Sequence, residues 1–427
     1  LERPIFGALM VVQNLPRILR TSRGFPVLWV HEPSHSLSHM ALLSDCGSRD
    51  DEPTGSGSTH FLEHLLFKGT EDRRPMQVLT ELENKGGDIN AFTTKERLVL
   101  HASSPANHSR SAVDLVADMW WNSRWTDQEF AKEQKVIREE IGMYSDNPDE
   151  SLLEAFEKAV YGQHPLSHPI LGYESSLTAL SSASVRHHYQ SVFGSKPAVF
   201  VYHGPLEAAE ILKALENRIP KRAYKTHKSS PSRKAPSSLR GQKEHEELKD
   251  FNQAYGIMGG RAPSVRHDMR WALALLINWL GGDHMSARLS MELREKSALV
   301  YDIDAHYSPY SDSGMWSIQF SCDAGQAPKV RTKIDRILSN PRLRCPGPKE
   351  FKIAKEQLIG RLLLAEENRL QNLIGWGQAF LDGNGLLTQQ EIVDRIHHIP
   401  LTQLQTIAEQ LFVRQGWRSL VWRNETP

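Results

Sequence analysis

The sequence predicts an α+β protein made of two similarly folded domains. Three observations support this: helices alternate with short strands, one spacing of elements occurs twice, and a polar segment divides the chain. Helical patterns such as Ser151 to Val160 and Pro348 to Gly375 alternate with strand-like segments such as Phe25 to Val30 and Ser317 to Ser321. This alternation is typical of α+β domains.

The repeated spacing links the two halves. A helix-like stretch from Leu180 to Phe193 precedes a strand-like run at 198–202. A stretch of the same length, from Ile399 to Phe412, precedes a strand-like run at 419–422. An internal repeat of this kind indicates two copies of one structural unit.

The polar segment at 221–242 reads KRAYKTHKSSPSRKAPSSLRGQ and contains almost nothing to bury. We interpret it as a solvated interdomain linker, although a docking strip for an anionic partner is an alternative. The predicted division is therefore a first domain at 1–220, a basic Ser/Pro-rich linker at 221–243 and a second domain at 244–427.

Composition excludes several classes of function. The 51 acidic and 51 basic side chains balance, so the chain lacks the excess positive charge that nucleic-acid binding favours. The longest apolar run, Trp271 to Leu280, is too short to span a membrane. Cys46, Cys322 and Cys345 lie far apart, which predicts a reducing compartment and hence a cytoplasmic protein without disulfides.

The strongest chemical signal is an H-x-x-E-H motif in the segment GSTHFLEHLLF. Ser58 or Thr59 is placed to cap a helix, on which His60 and His64 lie one turn apart on the same face. Two such imidazoles can bind one metal ion, and Glu63 lies close enough to accept a proton from water there. A buried structural helix whose histidines bond nearby carbonyls is the alternative.

A catalytic zinc site takes three protein ligands and leaves one position for water, so a third donor must lie elsewhere in the chain. A second predicted helix, EQKVIREEI, supplies acidic candidates. Glu133 and Glu140 lie two turns apart on one face, with Val136 and Ile137 on or near its buried side. The residues alone leave Glu139 and Glu140 as equal candidates.

These residues resemble the insulinase, pitrilysin and mitochondrial processing peptidase family, in which a ligating glutamate follows H-x-x-E-H by about 75 residues. The segment HFLEHLLFKGT is similar to the processing peptidases almost letter for letter. The resemblance implies one Zn²⁺ per chain, held by His60, His64 and Glu140, with Glu63 as the general base. It also implies that Glu133, seven residues before the third ligand, supports the site from behind.

The segment GGDINAFT at 86–93 resembles the family's G-G-x-x-N-A-x-T strand. In the family this strand pairs with the backbone of the bound peptide, a form of β-augmentation. The resemblance therefore implies substrate contacts for Asn90 and Ala91. Leu100 stands where many members have a tyrosine, so the wall beside this strand departs from the family pattern.

In the second half, GDHMSARL at 282–289 and REKSALVY at 294–301 resemble the family's G-x-x-x-S-S-R-L and R-E-K-x-x-L-x-Y elements. Ala287 replaces the second serine. In active relatives the arginine and tyrosine of the later element reach across a chamber and hydrogen-bond the substrate carbonyl. The resemblance implies these catalytic roles for Arg294 and Tyr301.

The resemblance extends from about Arg20 to the last strand. It implies two homologous domains, each a mainly antiparallel sheet covered by helices, that together form half of a clamshell chamber. The first would be the zinc-binding peptidase domain, and the second would contribute the Arg-Tyr pair. Short-chain members use two such subunits, so we expect a homodimer, or else a heterodimer with a related subunit.

The predicted function is a zinc metalloendopeptidase that cleaves unfolded peptides, or precursor and leader peptides, inside a dimeric chamber by means of metal-activated water. One alternative is a non-catalytic, core-like assembly subunit, since the family includes core proteins of respiratory complexes that lost the site. Another is the active subunit of a heterodimeric processing peptidase. The joint presence of His60, Glu63, His64 and Glu140 favours an enzyme.

Overall fold

The computed structural model of the chain describes residues 15–220, 233–237, 244–249, 251–412 and 416–424. Most of the predicted linker at 221–243 lies outside these residues. None of the helices in the described ranges combines the length and the apolar character that a bilayer crossing requires. Cys46, Cys322 and Cys345 are free and buried.

The first half of the chain builds a six-stranded sheet with its helices. Its elements are, in chain order, β1 (Arg17–Arg20), β2 (Pro26–His31), β3 (Leu37–Ser44), α1 (Ser58–Leu65), α2 (Pro75–Glu83), β4 (Asp88–Thr93), β5 (Leu98–Pro105), α3 (Ser109–Asn122), α4 (Asp127–Asp146), α5 (Pro148–Tyr161), α6 (Glu174–Ala179), α7 (Ser182–Ser195), β6 (Ala198–Gly204) and α8 (Ala208–Arg218). The strands lie in the order β1-β2-β6-β3-β5-β4, and only the β2–β6 pair is parallel.

The second half builds a five-stranded sheet. Its elements are β7 (Glu244–Leu248), β8 (Ala254–Ala262), α9 (Arg270–Gly281), β9 (Asp302–Pro309), β10 (Gly314–Cys322), α10 (Ala327–Ser339), α11 (Pro348–Ala365), α12 (Arg369–Asp382), α13 (Gln389–His398), α14 (Leu401–Leu411) and β11 (Trp417–Arg423). The strands lie in the order β7-β11-β8-β10-β9, and only the β7–β11 pair is parallel.

The two sheets share one topology. Strands β2, β6, β3, β5 and β4 correspond in order and direction to β7, β11, β8, β10 and β9. The repeated spacing in the sequence falls on α7 with β6 and on α14 with β11. The predicted two-domain fold of mainly antiparallel sheets with helices is therefore confirmed.

Each sheet is covered on one face by a helix from the opposite half. Helix α12 packs across β3 and β6, where Leu373 and Trp376 join a buried apolar cluster of the first sheet. Gly377 permits a close approach, because a Cβ there would lie 2.5 Å from Leu43 Cδ1. Helix α5 packs in the same way across β8 and β11, with Phe156 in the shared cluster. The halves are interlocked, so each depends on the other to bury one face of its sheet.

The predicted helical stretch from Pro348 to Gly375 is wrong at residues 366–368. Helix α11 ends at Ala365 and α12 begins at Arg369. The Asn368 side chain accepts a hydrogen bond from the Gln371 backbone N–H at 3.1 Å and so caps α12. A single straight helix would leave the face of the first sheet uncovered, and the break lets α12 reach it.

The interpretation of the basic segment as a fully solvated linker is wrong at Arg233. The side chain of this residue is 5% exposed. Its guanidinium lies 2.6 Å from Asp50 and 3.0 Å from Asp45, both in the first half. An unpaired guanidinium in this environment would be costly, and the two carboxylates compensate its burial.

Helix α12, which covers the sheet of the opposite half, should contribute strongly to stability. We expect Leu373→Ala to lower the free energy of unfolding by about 2–5 kcal/mol, because it leaves a cavity in a fully buried cluster. The matched control is Leu364→Ala, whose leucine is 77% exposed and whose change should stay within about 0.5 kcal/mol. Urea denaturation followed by circular dichroism measures both, and equal effects would contradict the packing role of α12.

Candidate metal centre

Helix α1 is fixed at its start by a carboxylate from the preceding loop. Gly57 precedes the helix with a φ of 92°, a conformation that favours glycine. Asp51 accepts hydrogen bonds from the Gly57 N–H at 2.9 Å and the Thr59 hydroxyl at 2.6 Å. The prediction that Ser58 or Thr59 caps the helix is therefore wrong, since both lie inside it and Asp51 performs the capping.

Helix α4 turns two of its glutamates toward α1. Phe130 of α4 stacks on Phe61 of α1, with ring centroids 4.5 Å apart and an interplanar angle of 11°. This contact sets the distance between the helices. Glu133 is buried and Glu140 half-buried, whereas Glu139 is exposed. Of the two adjacent glutamates, only Glu140 lies near the histidines of α1.

The predicted buried side of α4 is half right. Ile137 is 1% exposed as expected, but Val136 is 49% exposed. Neighbouring side chains on a helix point about 100° apart. When Ile137 faces the core with Glu133, Val136 is therefore rotated toward solvent.

Three donor atoms converge between α1 and α4. The Glu140 Oε2 atom lies 3.3 Å from His64 Nε2 and 3.7 Å from His60 Nε2, and one ligand atom from each residue lies within 4.8 Å of the others. Zinc bonds of about 2.0–2.2 Å in a tetrahedron place neighbouring donors about 3.3–3.6 Å apart. The residues therefore fit a zinc ion, and they form the one such donor group among the described residues.

His60 is suited to bind a cation as a neutral imidazole. Burial lowers the pKa of its ring to about 4, so the ring is uncharged at neutral pH. The distance of 3.7 Å to the Glu140 carboxylate is too long for a hydrogen bond. A metal ion between the two atoms would satisfy both.

His64 is oriented from behind by Glu133 and Lys68. Its Nδ1 lies 3.3 Å from Glu133 Oε2, and the other oxygen of that carboxylate accepts from Lys68 Nζ at 2.7 Å. Burial lowers the pKa of His64, but the bonds to Glu133 and Glu140 outweigh it and raise the pKa to about 9. A carboxylate on the far nitrogen of a ligating histidine fixes its tautomer and raises its basicity.

Glu63 lies beside the donor group without joining it. Its Oε2 accepts a hydrogen bond from the Thr93 hydroxyl at 2.6 Å. Burial raises the pKa of the Glu63 carboxyl, and the Thr93 bond opposes that effect. A general base needs a pKa closer to the working pH than that of a free carboxylate, and burial shifts Glu63 in that direction.

Asn90 and Ala91 lie on β4, the edge strand of the first sheet. Asn90 is exposed, and its Oδ1 accepts a hydrogen bond from the Ala91 backbone N–H at 2.8 Å. That N–H is thus directed away from β5 and toward the free edge. Leu100 pairs with Ala91 in register and is fully buried, so it supports the strand from the core.

Arg294 and Tyr301 lie in the second half, on either side of Ala298, whose φ of 45° is unusual for a residue with a side chain. The Arg294 guanidinium contacts Glu295 at 3.1 Å. Tyr301 is 55% exposed, and its hydroxyl donates to Asp323 at 2.5 Å. In the described part of the chain, no hydrogen bond or ion pair joins either residue to the metal centre. The single chain does not bring this pair to the donor group.

Sequence reasoning missed three polar partners of the site. Thr93 holds Glu63, Lys68 holds Glu133, and Asp51 holds the start of α1. Lys68 could have been found, since it lies one helical turn after His64. Thr93 and Asp51 come from other segments, and no local spacing links them to the motif.

The fold and the donor group define a class: two-domain α+β proteins with an H-x-x-E-H helix that can hold a metal. Two models of known protein families match the chain. The model of the insulinase domain, peptidase family M16, matches residues 26–174, and that of the peptidase M16 inactive domain matches residues 179–358. The chain therefore belongs to the insulinase family of peptidases, M16.

Similar proteins cover nearly its whole length. The uncharacterized zinc protease YmxG of Bacillus subtilis is 31% identical over 97% of this chain and 96% of its own. An uncharacterized zinc protease of Mycobacterium leprae is 29% identical over 91% of this chain and 87% of its own. A protease from Helicobacter pylori, 18% identical, has the same fold, with a TM-score of 0.85 over 96% of this chain and all of its own.

Zinc uptake should depend on pH. In the metal-free protein the pKa of His64 is raised to about 9. Below that pH, zinc must displace a proton from His64. The apparent affinity for zinc should therefore fall about tenfold for each pH unit from about pH 9 down to about pH 7. Chelator competition measures this. Glu133→Gln should weaken the dependence because it removes one cause of the raised pKa, and a wild-type affinity that does not vary with pH would contradict the assignment.

Proposed function

We propose that the chain is a zinc metalloendopeptidase that hydrolyses unfolded peptides, including precursor or leader peptides, inside a chamber formed by two chains. The observation that carries the proposal is the convergence of His60, His64 and Glu140 with an unligated, half-buried Glu63 beside them. Relatives named zinc proteases support the choice of metal. A structural role alone would not require a half-buried carboxylate next to the donor group.

The residues divide the chemistry among them. When bound, zinc supplies Lewis acidity, which polarises a peptide carbonyl and makes water more acidic. Glu63 takes the proton of the attacking water and later delivers it to the leaving amine. The hydrogen bond from Thr93 keeps one Glu63 oxygen in place, so the carboxylate meets the water in one orientation.

The edge of β4 offers a way to bind peptide backbone. An extended peptide can add to a free edge strand through main-chain hydrogen bonds, which read conformation more than sequence. To pair there, the peptide must displace the Asn90 side chain from the Ala91 N–H. This requirement favours unfolded segments, since a folded substrate has already used its backbone groups.

A second chain would supply the missing oxyanion donors. Arg294 and Tyr301 are bonded only within their own half in the described contacts. We therefore place them at the metal centre of a partner copy. Donors aimed at a developing oxyanion are worth about 3 kcal/mol each. Since one chain carries both sets of residues, a homodimer is sufficient.

Glu63→Gln should retain zinc and lose hydrolysis. The amide keeps the shape of the side chain but cannot accept the water proton, so we expect kcat to fall about a hundredfold to ten-thousandfold. The matched control is Glu139→Gln, an exposed glutamate next to a ligand position, which should retain activity. A quenched-peptide library and metal analysis provide the two readouts, and undiminished cleavage by Glu63→Gln would rule out its role.

Mixing two inactive variants tests the shared chamber. Glu63→Gln and Tyr301→Phe each damage a different part of the proposed site. If the parts come from different chains, random exchange of subunits in a two-fold dimer restores up to about a quarter of wild-type activity. Each variant mixed with itself is the control. A mixture no more active than its components, despite demonstrated subunit exchange, would contradict the shared site.

A further inference from the structure

A buried ionic cluster joins the second half to both segments that build the metal centre. One segment is the loop at 45–51, between β3 and α1. The other is the turn at 94–97, between β4 and β5. The third member is the turn at 310–313 between β9 and β10, which occupies in the second sheet the position of the 94–97 turn in the first. Corresponding turns of the two halves therefore meet.

The loop and the first turn are held together by their backbones. The Ser48 and Arg49 N–H groups donate to the carbonyls of Thr94 and Lys95, each at 3.0 Å. Gly47 leaves no gap, because a Cβ there would lie 2.4 Å from the Glu96 nitrogen. The two segments must therefore move as one body.

The second half holds this body through Ser311 and Asp312. The Arg49 guanidinium binds both oxygens of Asp312, at 2.8 and 2.9 Å, and also contacts Glu96 at 2.6 Å. Glu96 in turn accepts from the Ser311 N–H at 2.9 Å and the Ser311 hydroxyl at 2.6 Å. Arg49 and Glu96 are buried, so loss of Asp312 removes one of the two carboxylates that compensate the buried Arg49 guanidinium.

Both segments lead directly to the metal centre. At the end of the loop, Asp51 caps α1 through Gly57 and through Thr59, the residue before His60. Three residues before Glu96, Thr93 donates to Glu63. A shift of the cluster would therefore move the start of the motif helix and the hydroxyl that orients the base.

We infer that Asp312 and Ser311 of the second half are positioning residues, which set the geometry of the metal centre through Arg49 and Glu96. This inference rests on the proposed function, because it concerns the same zinc site. Helix α9, the topological counterpart of α1 in the second half, contains neither histidine nor glutamate. Within its described residues the second half therefore has no donor group of its own, and its role is to position the donor group of the first half.

The test is zinc affinity of the full-length protein, measured by chelator competition. For Asp312→Asn we expect the zinc dissociation constant to rise about 3-fold to 30-fold, a typical range for a residue coupled to a site without touching it. Asp312→Glu should restore part of the loss. The matched control is Arg369→Gln, which breaks another contact between the halves, to Glu32 and His203. That contact lies at the opposite end of β3 from the loop, so zinc affinity should stay at the wild-type value.

A purely structural role would give a different pattern. It would lower the unfolding temperature of the metal-free and zinc-loaded proteins equally and leave the zinc dissociation constant unchanged, and this result would overturn the inference. The inference instead predicts a smaller zinc-induced rise in unfolding temperature for Asp312→Asn. If that variant does not fold, Ser311→Ala carries the same test, because it removes only one hydroxyl donor to Glu96. A wild-type protein that binds no zinc would overturn the proposed function itself.

Discussion

The metal centre depends on the packing of α1 against α4. The three donor atoms come from two helices, and coordination tolerates errors of only about 0.2 Å. The stacked rings of Phe61 and Phe130 fix the distance between the helices. The carboxylate of Glu133, held between His64 and Lys68, then fixes the rotation of one imidazole. The stacked aromatic rings thus set the spacing of the two helices, and the Glu133 carboxylate sets the orientation of the His64 ring.

The two halves use one topology for different purposes. In the first half the helix after the third strand carries the donor pair, whereas its counterpart α9 is an apolar core helix. The halves nevertheless exchange helices, with α5 covering the second sheet and α12 covering the first. Because each half completes the core of the other, the second half can hold the segments around the metal centre without contributing a ligand. An isolated second half would expose the apolar face of its sheet that α5 covers, which favours aggregation over a stable separate unit.

The parts of the structure that depend on local chemistry could be predicted. Helical spacing within H-x-x-E-H placed His60 and His64 on one face, and the repeated spacing of elements indicated two similar units. The parts that depend on distant segments could not. No local pattern shows that Asp51 caps α1, that α12 must begin afresh to reach the other sheet, or that Arg233 is buried in the connecting segment. Propensity and periodicity describe a segment alone, and tertiary contacts decided these features.

Zinc-edge X-ray absorption of the zinc-loaded protein, compared with that of Glu140→Gln, tests the three-residue donor group directly. We expect zinc to be surrounded by nitrogen and oxygen ligands only, at about 2.0–2.2 Å, with the multiple scattering of two imidazoles. In Glu140→Gln the signal from the atoms bound to zinc should change, while the multiple scattering of the two imidazoles should persist. Sulfur ligands, or a spectrum that Glu140→Gln leaves unaltered, would contradict the claim that one carboxylate of α4 completes the histidine pair of α1.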